Sequence, residues 1–115
     1  CAATALRMRA HPFMVAGSGR FDTRVMERTG EKAFIKTGAE GVYCGAFPEL
    51  GLGVAIKVDD GAGRAAEILM GHLLERFGIV SEAEARGLGG LATAPVLNRA
   101  GLHVGDTRLA PRIPF

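Results

Sequence analysis

The N-terminal part of the chain follows the pattern of two helices. Strong helix formers fill residues 2–10, and the Pro12 that comes after them predicts a helix end near Ala10. A connection with two turn glycines follows. Asp22 or Thr23 is expected to cap a short second helix, because short polar side chains accept hydrogen bonds from the free N–H groups of the first turn.

The middle of the chain changes to the alternation that is typical of strands. Apolar stretches separated by Gly and Pro turns predict strands over residues 32–36, 42–47 and 52–58. Their short connections imply an antiparallel meander. Cys44, inside the second strand, is expected to be a buried thiol. One helix covers only one face of such a sheet, so a further cover is expected on the other face.

A long amphipathic helix is predicted after residues 59–63, with Gly78 as its C-terminal cap. Its apolar stripe comprises Ala65, Ala66, Leu69, Met70, Leu73, Leu74 and Phe77. Ser81 and Glu84 then have capping-box spacing, which predicts a short helix over residues 82–87.

The last part of the chain, residues 88–115, is repeatedly interrupted by Gly and Pro and is predicted to be an irregular tail, in which residues 96–97 and 102–104 are candidates for short strands. No internal repeat divides the sequence. Residues 1–115 are therefore expected to form a single α+β domain, a three-stranded antiparallel meander packed with helices.

Composition narrows the classes of function. With 115 residues, 48% of them hydrophobic and 23% charged, the chain is not a disordered protein. The net charge is +2 and the two signs are interleaved, so neither a basic stripe nor an aromatic platform indicates a nucleic-acid partner. No apolar run reaches the length of a membrane span, and no signal-peptide pattern is present.

The two cysteines, Cys1 and Cys44, make no disulfide framework, which favours a reducing, cytoplasmic setting. The chain begins at Cys1, inside a helical pattern and without an initiator Met. This start favours a piece of a longer protein or a processed product.

One triplet combines chemically useful groups. Lys36, Thr37 and Gly38 close the first predicted strand, so an ammonium and a hydroxyl stand beside a glycine that lets a ligand approach the backbone. Taken alone, the triplet is more typical of a solvated Lys before a turn.

No metal site is predicted in this chain. No Cys/His spacing resembles a zinc site. Asp59 and Asp60 precede a helix, where capping and pairing with the helix dipole are favoured over binding of a cation.

The triplet belongs to a longer distinctive string over residues 36–61, and a second string covers residues 11–23. Together with residues 98–105, they resemble the C-terminal part of the bacterial L-asparaginase II family, whose fold is similar to that of serine β-lactamases and penicillin-binding proteins. The resemblance implies a partial β-lactamase-like domain. It also implies an amidohydrolase that converts L-asparagine to aspartate and ammonia.

The resemblance makes Lys36, Thr37 and Gly38 the counterpart of the Lys-Thr/Ser-Gly strand beside the active site of that superfamily. It implies that the Lys supplies positive charge and helps to move protons, while the Thr hydroxyl and the Gly backbone contact the substrate. The nucleophile motif of the superfamily, Ser-x-x-Lys, is absent, since Ser18 is followed by Phe21 and Ser81 by Glu84. The chain alone is therefore expected to be inactive. No cofactor is expected in it, and any zinc of the complete protein would use Cys and Lys ligands that lie largely upstream.

Arg20 and Glu40 are weaker candidates for substrate binding. Residues 17–20 are expected either to form a nest of N–H groups beside the Arg20 guanidinium, suited to a substrate carboxylate, or to be a turn in which Arg20 pairs with a nearby acid. Glu40 either orients the substrate amine or is a turn residue that is solvated or paired with Lys36.

A second reading of the sequence is a non-catalytic α+β module that binds a small ligand or associates with itself. Either way a homo-oligomer is expected, because a chain cut from a larger domain exposes surfaces that were core.

Overall fold

The structure of the protein, a computed structural model, describes residues 2–111, with Ala2 described by its backbone only. Helices and strands alternate in blocks along the chain, and the predicted α+β class is confirmed. The helices and strands are α1 (Ala2–Ala10), α2 (Pro12–Ala16), α3 (Phe21–Thr29), β1 (Phe34–Thr37), β2 (Val42–Phe47), β3 (Leu52–Lys57), α4 (Gly63–Arg76), α5 (Glu82–Gly87), β4 (Thr93–Leu97) and β5 (His103–Arg108).

Strands β1, β2 and β3 form the predicted antiparallel meander, in that spatial order. Lys36 pairs with Cys44, and Tyr43 pairs with Ile56. The first strand starts later than predicted, because residues 30–32 close helix α3 with a short 3₁₀ turn. It also extends one residue further, to Thr37. The order of the strands leaves β1 at one edge of the sheet.

The core lies on one face of this sheet, under helices α3 and α4. Tyr43 and Phe47 of β2 are fully buried there, together with Met70 and Leu74 of α4. Gly45 lies between the two aromatic residues, and a Cβ atom at that position would stand 3.2 Å from the Met70 Cε. The missing side chain therefore lets α4 pack directly against the middle of the sheet.

The predicted caps of helix α3 are wrong. Arg20 occupies the N-cap position and makes no capping hydrogen bond through its side chain. Asp22 and Thr23 lie inside the first turn, and both are buried. The Thr23 hydroxyl donates to the Gly17 carbonyl oxygen at 2.6 Å instead of accepting from the helix. Both side chains that suit a helix cap therefore bind groups outside the helix, Asp22 at the Thr37 N–H and Thr23 at the Gly17 carbonyl oxygen.

The connection before α3 is more ordered than predicted. Helix α1 ends at Ala10 as expected, and Pro12 then opens helix α2 at its first position. Proline suits this position because its fixed φ is helical and the N–H group it lacks would have no partner there.

Helix α5 confirms the capping box. The Ser81 side chain accepts from the Glu84 N–H, and the Glu84 carboxylate accepts from the Ser81 N–H at 2.8 Å. In the longer helix α4, the predicted stripe is buried at Ala66, Met70, Leu73 and Leu74, while Phe77 is 37% exposed at the C-cap.

The prediction of an irregular tail over residues 88–115 is wrong for its described part. Strands β4 and β5 form an antiparallel hairpin with a register shift at Leu97, and the hairpin contacts α4. The Asn98 side chain orders the turn, since its oxygen accepts from the N–H groups of Ala100 and Leu102. Pro95 fits because a two-stranded sheet consists only of edges. Residues 112–115 lie outside the described residues.

The other face of the meander carries small and apolar side chains together with Lys36 and Lys57, which the register places beside Cys44 and Val42. Cys44 points to this face, so the prediction of a buried thiol is wrong, because Cys44 is exposed. Its cross-strand partner Ala55 is exposed as well, while Val42 and Ala46 are half-buried. Alternation along a strand puts Cys44 opposite the buried Tyr43 and so away from the core.

Helix α4 also packs closely against the chain at Leu91. A Cβ atom at Gly71 would lie 2.2 Å from the Leu91 carbonyl oxygen, a distance that forces the backbone apart. Overpacking costs about 1–3 kcal/mol, and roughly 1 kcal/mol of it is offset because alanine is favoured over glycine inside a helix. Gly71→Ala is therefore expected to lower the free energy of unfolding by up to about 2 kcal/mol.

Gly63→Ala in the same helix is the matched control, since nothing lies within 4 Å of its Cβ position. Urea unfolding of the two variants measures the difference. Equal stability of the two variants would show that Leu91 does not pack against α4 as described.

Candidate active site

Lys36, Thr37 and Gly38 lie at the end of strand β1, where the chain turns into β2. Thr37 pairs with Tyr43, and the Gly38 N–H donates to the Val42 carbonyl oxygen at 2.8 Å. Lys36 and Thr37 are half-buried, and Gly38 is exposed. The triplet therefore stands at an edge of the sheet, at the boundary between core and solvent.

The Lys36 side chain folds back on its own strand. Its Nζ donates to the Thr37 carbonyl oxygen at 2.5 Å. The Thr37 hydroxyl is 3.5 Å from the Gly38 carbonyl oxygen, a distance at which a hydroxyl hydrogen bond is weak. The ammonium is thus anchored beside Thr37, and the hydroxyl can take a stronger partner.

Gly38 is a glycine for a packing reason as well. A Cβ atom at this position would lie 3.2 Å from the Val42 Cβ, closer than side chains ordinarily approach. A larger residue would therefore push β2 away from the end of β1.

Glu40 occupies the turn between β1 and β2 with a φ of 58°, in the left-handed region that non-glycine residues rarely adopt. Its carbonyl oxygen accepts from the Lys57 Nζ at 2.6 Å. In residues 2–111 no ion pair joins Glu40 to Lys36, so the pairing alternative is wrong. The exposed Glu40 carboxylate faces solvent at the turn.

Arg20 lies at the start of helix α3 and is exposed. It forms no ion pair with an acid in the described part of the chain. Its guanidinium is near enough to Glu67 of helix α4 to act on that carboxyl. The loop before it holds Gly17 and Gly19 at positive φ, and the Thr23 hydroxyl binds the loop at Gly17.

Asp22 is the residue of this region that the sequence did not reveal. Its carboxylate is fully buried, and its Oδ2 accepts from the Thr37 N–H at 2.8 Å. Its Oδ1 is buried without a hydrogen-bond partner among the described residues. Only its position beside a glycine-rich loop and 14 residues before the Lys-Thr-Gly triplet is visible in the sequence, and such spacing carries no signal of contact.

Tyr43 adds a second buried polar group next to Thr37. Its hydroxyl also has no hydrogen-bond partner among the described residues, and its ring packs edge-on against Phe21 at 6.0 Å between centroids. Buried polar groups are nearly always paired in native proteins, and exceptions are frequent at functional sites. Asp22 and Tyr43 thus place two unpaired buried polar atoms at the end of the sheet where Thr37 lies.

Donor atoms for a metal ion are not assembled here. Among residues 2–111 no group of three or more His, Cys, Asp or Glu side chains is placed to hold a metal ion. The Asp60 carboxylate instead accepts from the Ala62 N–H and pairs with Arg64 at 2.7 Å, at the start of helix α4. No described helix combines the length and the apolar character that crossing a membrane requires.

The Glu67 carboxyl of helix α4 has a shifted pKa. Burial raises the pKa of its carboxyl above the ordinary value, the Arg20 and Arg24 guanidinium groups oppose that rise, and the Asp22 charge adds to it. Because the pKa of Glu67 is higher in the folded protein than in the unfolded chain, protonation of Glu67 favours the folded state. This contribution to the free energy of unfolding is complete below the unfolded-state pKa and is lost as pH rises through the folded-state pKa.

Glu67→Gln removes this loss at high pH, because glutamine stays neutral. The melting temperature of the variant relative to the unsubstituted protein is therefore expected to be higher at neutral pH than at about pH 4. Thermal melts at both pH values measure it. Glu75→Gln in the same helix serves as the reference for removal of a negative charge from an exposed position. A Glu67→Gln effect that is the same at both pH values would contradict the assignment.

Comparison with known proteins identifies the family of the chain. The family model of L-asparaginase II matches residues 1–109. No curated protein matches the chain significantly. Since the matched residues span nearly the whole sequence and include the Lys-Thr-Gly strand, the chain belongs to the L-asparaginase II family.

Proposed function

We propose that this chain forms one wall of an amidohydrolase active site, which hydrolyses the side-chain amide of L-asparagine to aspartate and ammonia. The observation that carries the proposal is the Lys36-Thr37-Gly38 strand end, anchored by the buried Asp22 in a chain of the L-asparaginase II family. Family membership supports the substrate, and the anchored strand end supports the place of reaction.

In this proposal Lys36 supplies positive charge at the site and helps to move a proton. The Thr37 hydroxyl and the Gly38 backbone hold the amide and stabilise the oxyanion that forms when the carbonyl carbon is attacked. A nucleophile and its base come from another part of the complete protein, so the 115-residue chain is inactive alone. Attack expels ammonia, and water then releases aspartate and frees the nucleophile.

Arg20 and Glu40 recognise the amino-acid end of the substrate in the same proposal. An exposed guanidinium suits the α-carboxylate, and an exposed carboxylate suits the α-ammonium. Arg20 has no ion-pair partner among the described residues, and neither has Glu40. Both charges are therefore available to a ligand.

The proposed setting is the C-terminal part of a β-lactamase-like domain in the cytoplasm. Three antiparallel strands that begin with the Lys-Thr-Gly edge strand and lead into a packed helix support the first part. The free, exposed Cys44 thiol supports a reducing compartment. Zinc in the complete protein would need ligands from elsewhere, because the donor groups of residues 2–111 do not fit it, and no step above uses a metal.

Ammonia release from L-asparagine by the complete protein tests the function. Lys36→Ala is expected to lower kcat by about 10²–10³-fold, since the charge acts where the transition state is stabilised. Lys32→Ala is the control, an exposed lysine in the 3₁₀ turn that precedes β1. Absence of activity in the folded complete protein would refute the amidohydrolase. Equal losses in the two variants would refute the assigned role of Lys36.

The uncovered sheet face supports the alternative function, a non-catalytic module that binds a ligand or, as we propose, a second copy of the chain. Cys44 and Ala55 are exposed side by side on this face, next to Lys36. Small side chains at these two positions allow two copies to approach closely, and exposed apolar surface favours association.

Sedimentation equilibrium of the 115-residue chain is expected to show a dimer. Ala55→Glu places a charge on the face and should dissociate it, whereas Ala83→Glu, at an exposed position of helix α5, should not. A monomeric chain would contradict self-association through this face.

A further inference from the structure

Burial of the Asp22 carboxylate is expected to lower the free energy of unfolding. A buried carboxylate loses its hydration, and this loss is offset only when hydrogen bonds satisfy its oxygens. Asp22 is fully buried, yet of its two oxygens only Oδ2 has a hydrogen-bond partner among the described residues. A half-satisfied buried charge stabilises a fold less well than an apolar side chain of the same size. A role in the site, rather than in folding, accounts for its presence.

The one bond that Asp22 makes reaches the functional strand. Its Oδ2 accepts from the backbone N–H of Thr37, at the end of the edge strand β1. The carbonyl oxygen of the same residue accepts from the Lys36 Nζ. Thr37 is thus held at its N–H by a carboxylate and at its C=O by an ammonium. Hydrogen bonds to charged groups are roughly twice as strong as neutral ones, so both peptide planes around Thr37 are fixed.

We propose that Asp22 is a positioning residue of the amidohydrolase site: through the Thr37 peptide it sets the direction of the Thr37 hydroxyl and the place of the Lys36 ammonium. This inference rests on the proposed function. Asp22 need not touch the substrate, since its oxygens are shielded in the core. It acts by keeping groups that do touch the substrate in one geometry, and displacement of such groups by about 1 Å costs about 10²-fold in rate.

Two substitutions at Asp22 in the complete protein test the role. Asp22→Ala removes the acceptor and is expected to lower kcat for L-asparagine by about 10²-fold, with a much smaller change in KM. Asp22→Asn keeps an oxygen acceptor at the same place, although without charge, and is expected to recover activity to within about 10-fold of the unsubstituted protein. The pH profile of kcat should keep its shape in the asparagine variant, because Asp22 transfers no proton.

Thr29→Val is the matched control. Thr29 is a buried polar residue at the opposite end of helix α3 from Asp22, and its hydroxyl donates to the Val25 carbonyl oxygen at 2.9 Å. The variant is expected to lose some stability and to keep the kcat of the unsubstituted protein. A merely structural role of Asp22 would make its variants and the control lose activity in proportion to stability.

The outcomes separate the two proposals. Activity that Lys36→Ala abolishes but Asp22→Ala leaves intact would overturn the positioning role and leave the function standing. A folded Asp22→Asn protein as inactive as Lys36→Ala, or one with a shifted pH profile, would also overturn it. If Asp22→Ala fails to fold, rescue in the asparagine variant still decides the question. A folded complete protein that releases no ammonia would overturn the function and this inference together.

Discussion

Close packing of helix α4 is the constraint on which the rest of the structure depends. Gly45 lets Met70 reach the backbone of the middle strand, and Gly71 lets the chain at Leu91 lie directly against the helix. Helix α4 therefore contacts both the sheet and the C-terminal hairpin. Because both contacts are on one side of the sheet, the core is one-sided, and the face of Cys44 is left to solvent or to a partner.

The same one-sided packing brings the residues of the candidate site together. Helix α3 shares the core face with α4, and its first turn meets the end of the edge strand β1. An edge strand has N–H groups that no neighbouring strand can accept from, and the Asp22 carboxylate accepts one of them at Thr37. The polar contact that closes the edge also places a negative charge behind the Lys-Thr-Gly triplet.

Several elements were predictable because their signals are local. The capping box at Ser81 and the glycine after α4 can each be recognised from a few adjacent residues. Strand β2 was predicted with its observed bounds, since turn residues delimit it on both sides. Of the hairpin of β4 and β5, the sequence indicated only short candidate strands at residues 96–97 and 102–104, because its strands are short, exposed and interrupted by Pro95. Cys44 was assigned to the wrong face because a strand pattern does not say which of its faces is covered.

By itself the sequence determined the α+β class, the meander and the Lys36-Thr37-Gly38 strand end, because hydrophobic period, turn residues and short motifs act over a few neighbouring positions. Only the tertiary structure decided which groups surround that strand end. Asp22 has the side chain of a helix cap, and the sequence makes it one of two candidate caps beside Thr23. The packing of α3 against β1 turned it into the core, where a backbone N–H distant in sequence became its partner. Such pairings depend on three-dimensional proximity, which no local pattern encodes.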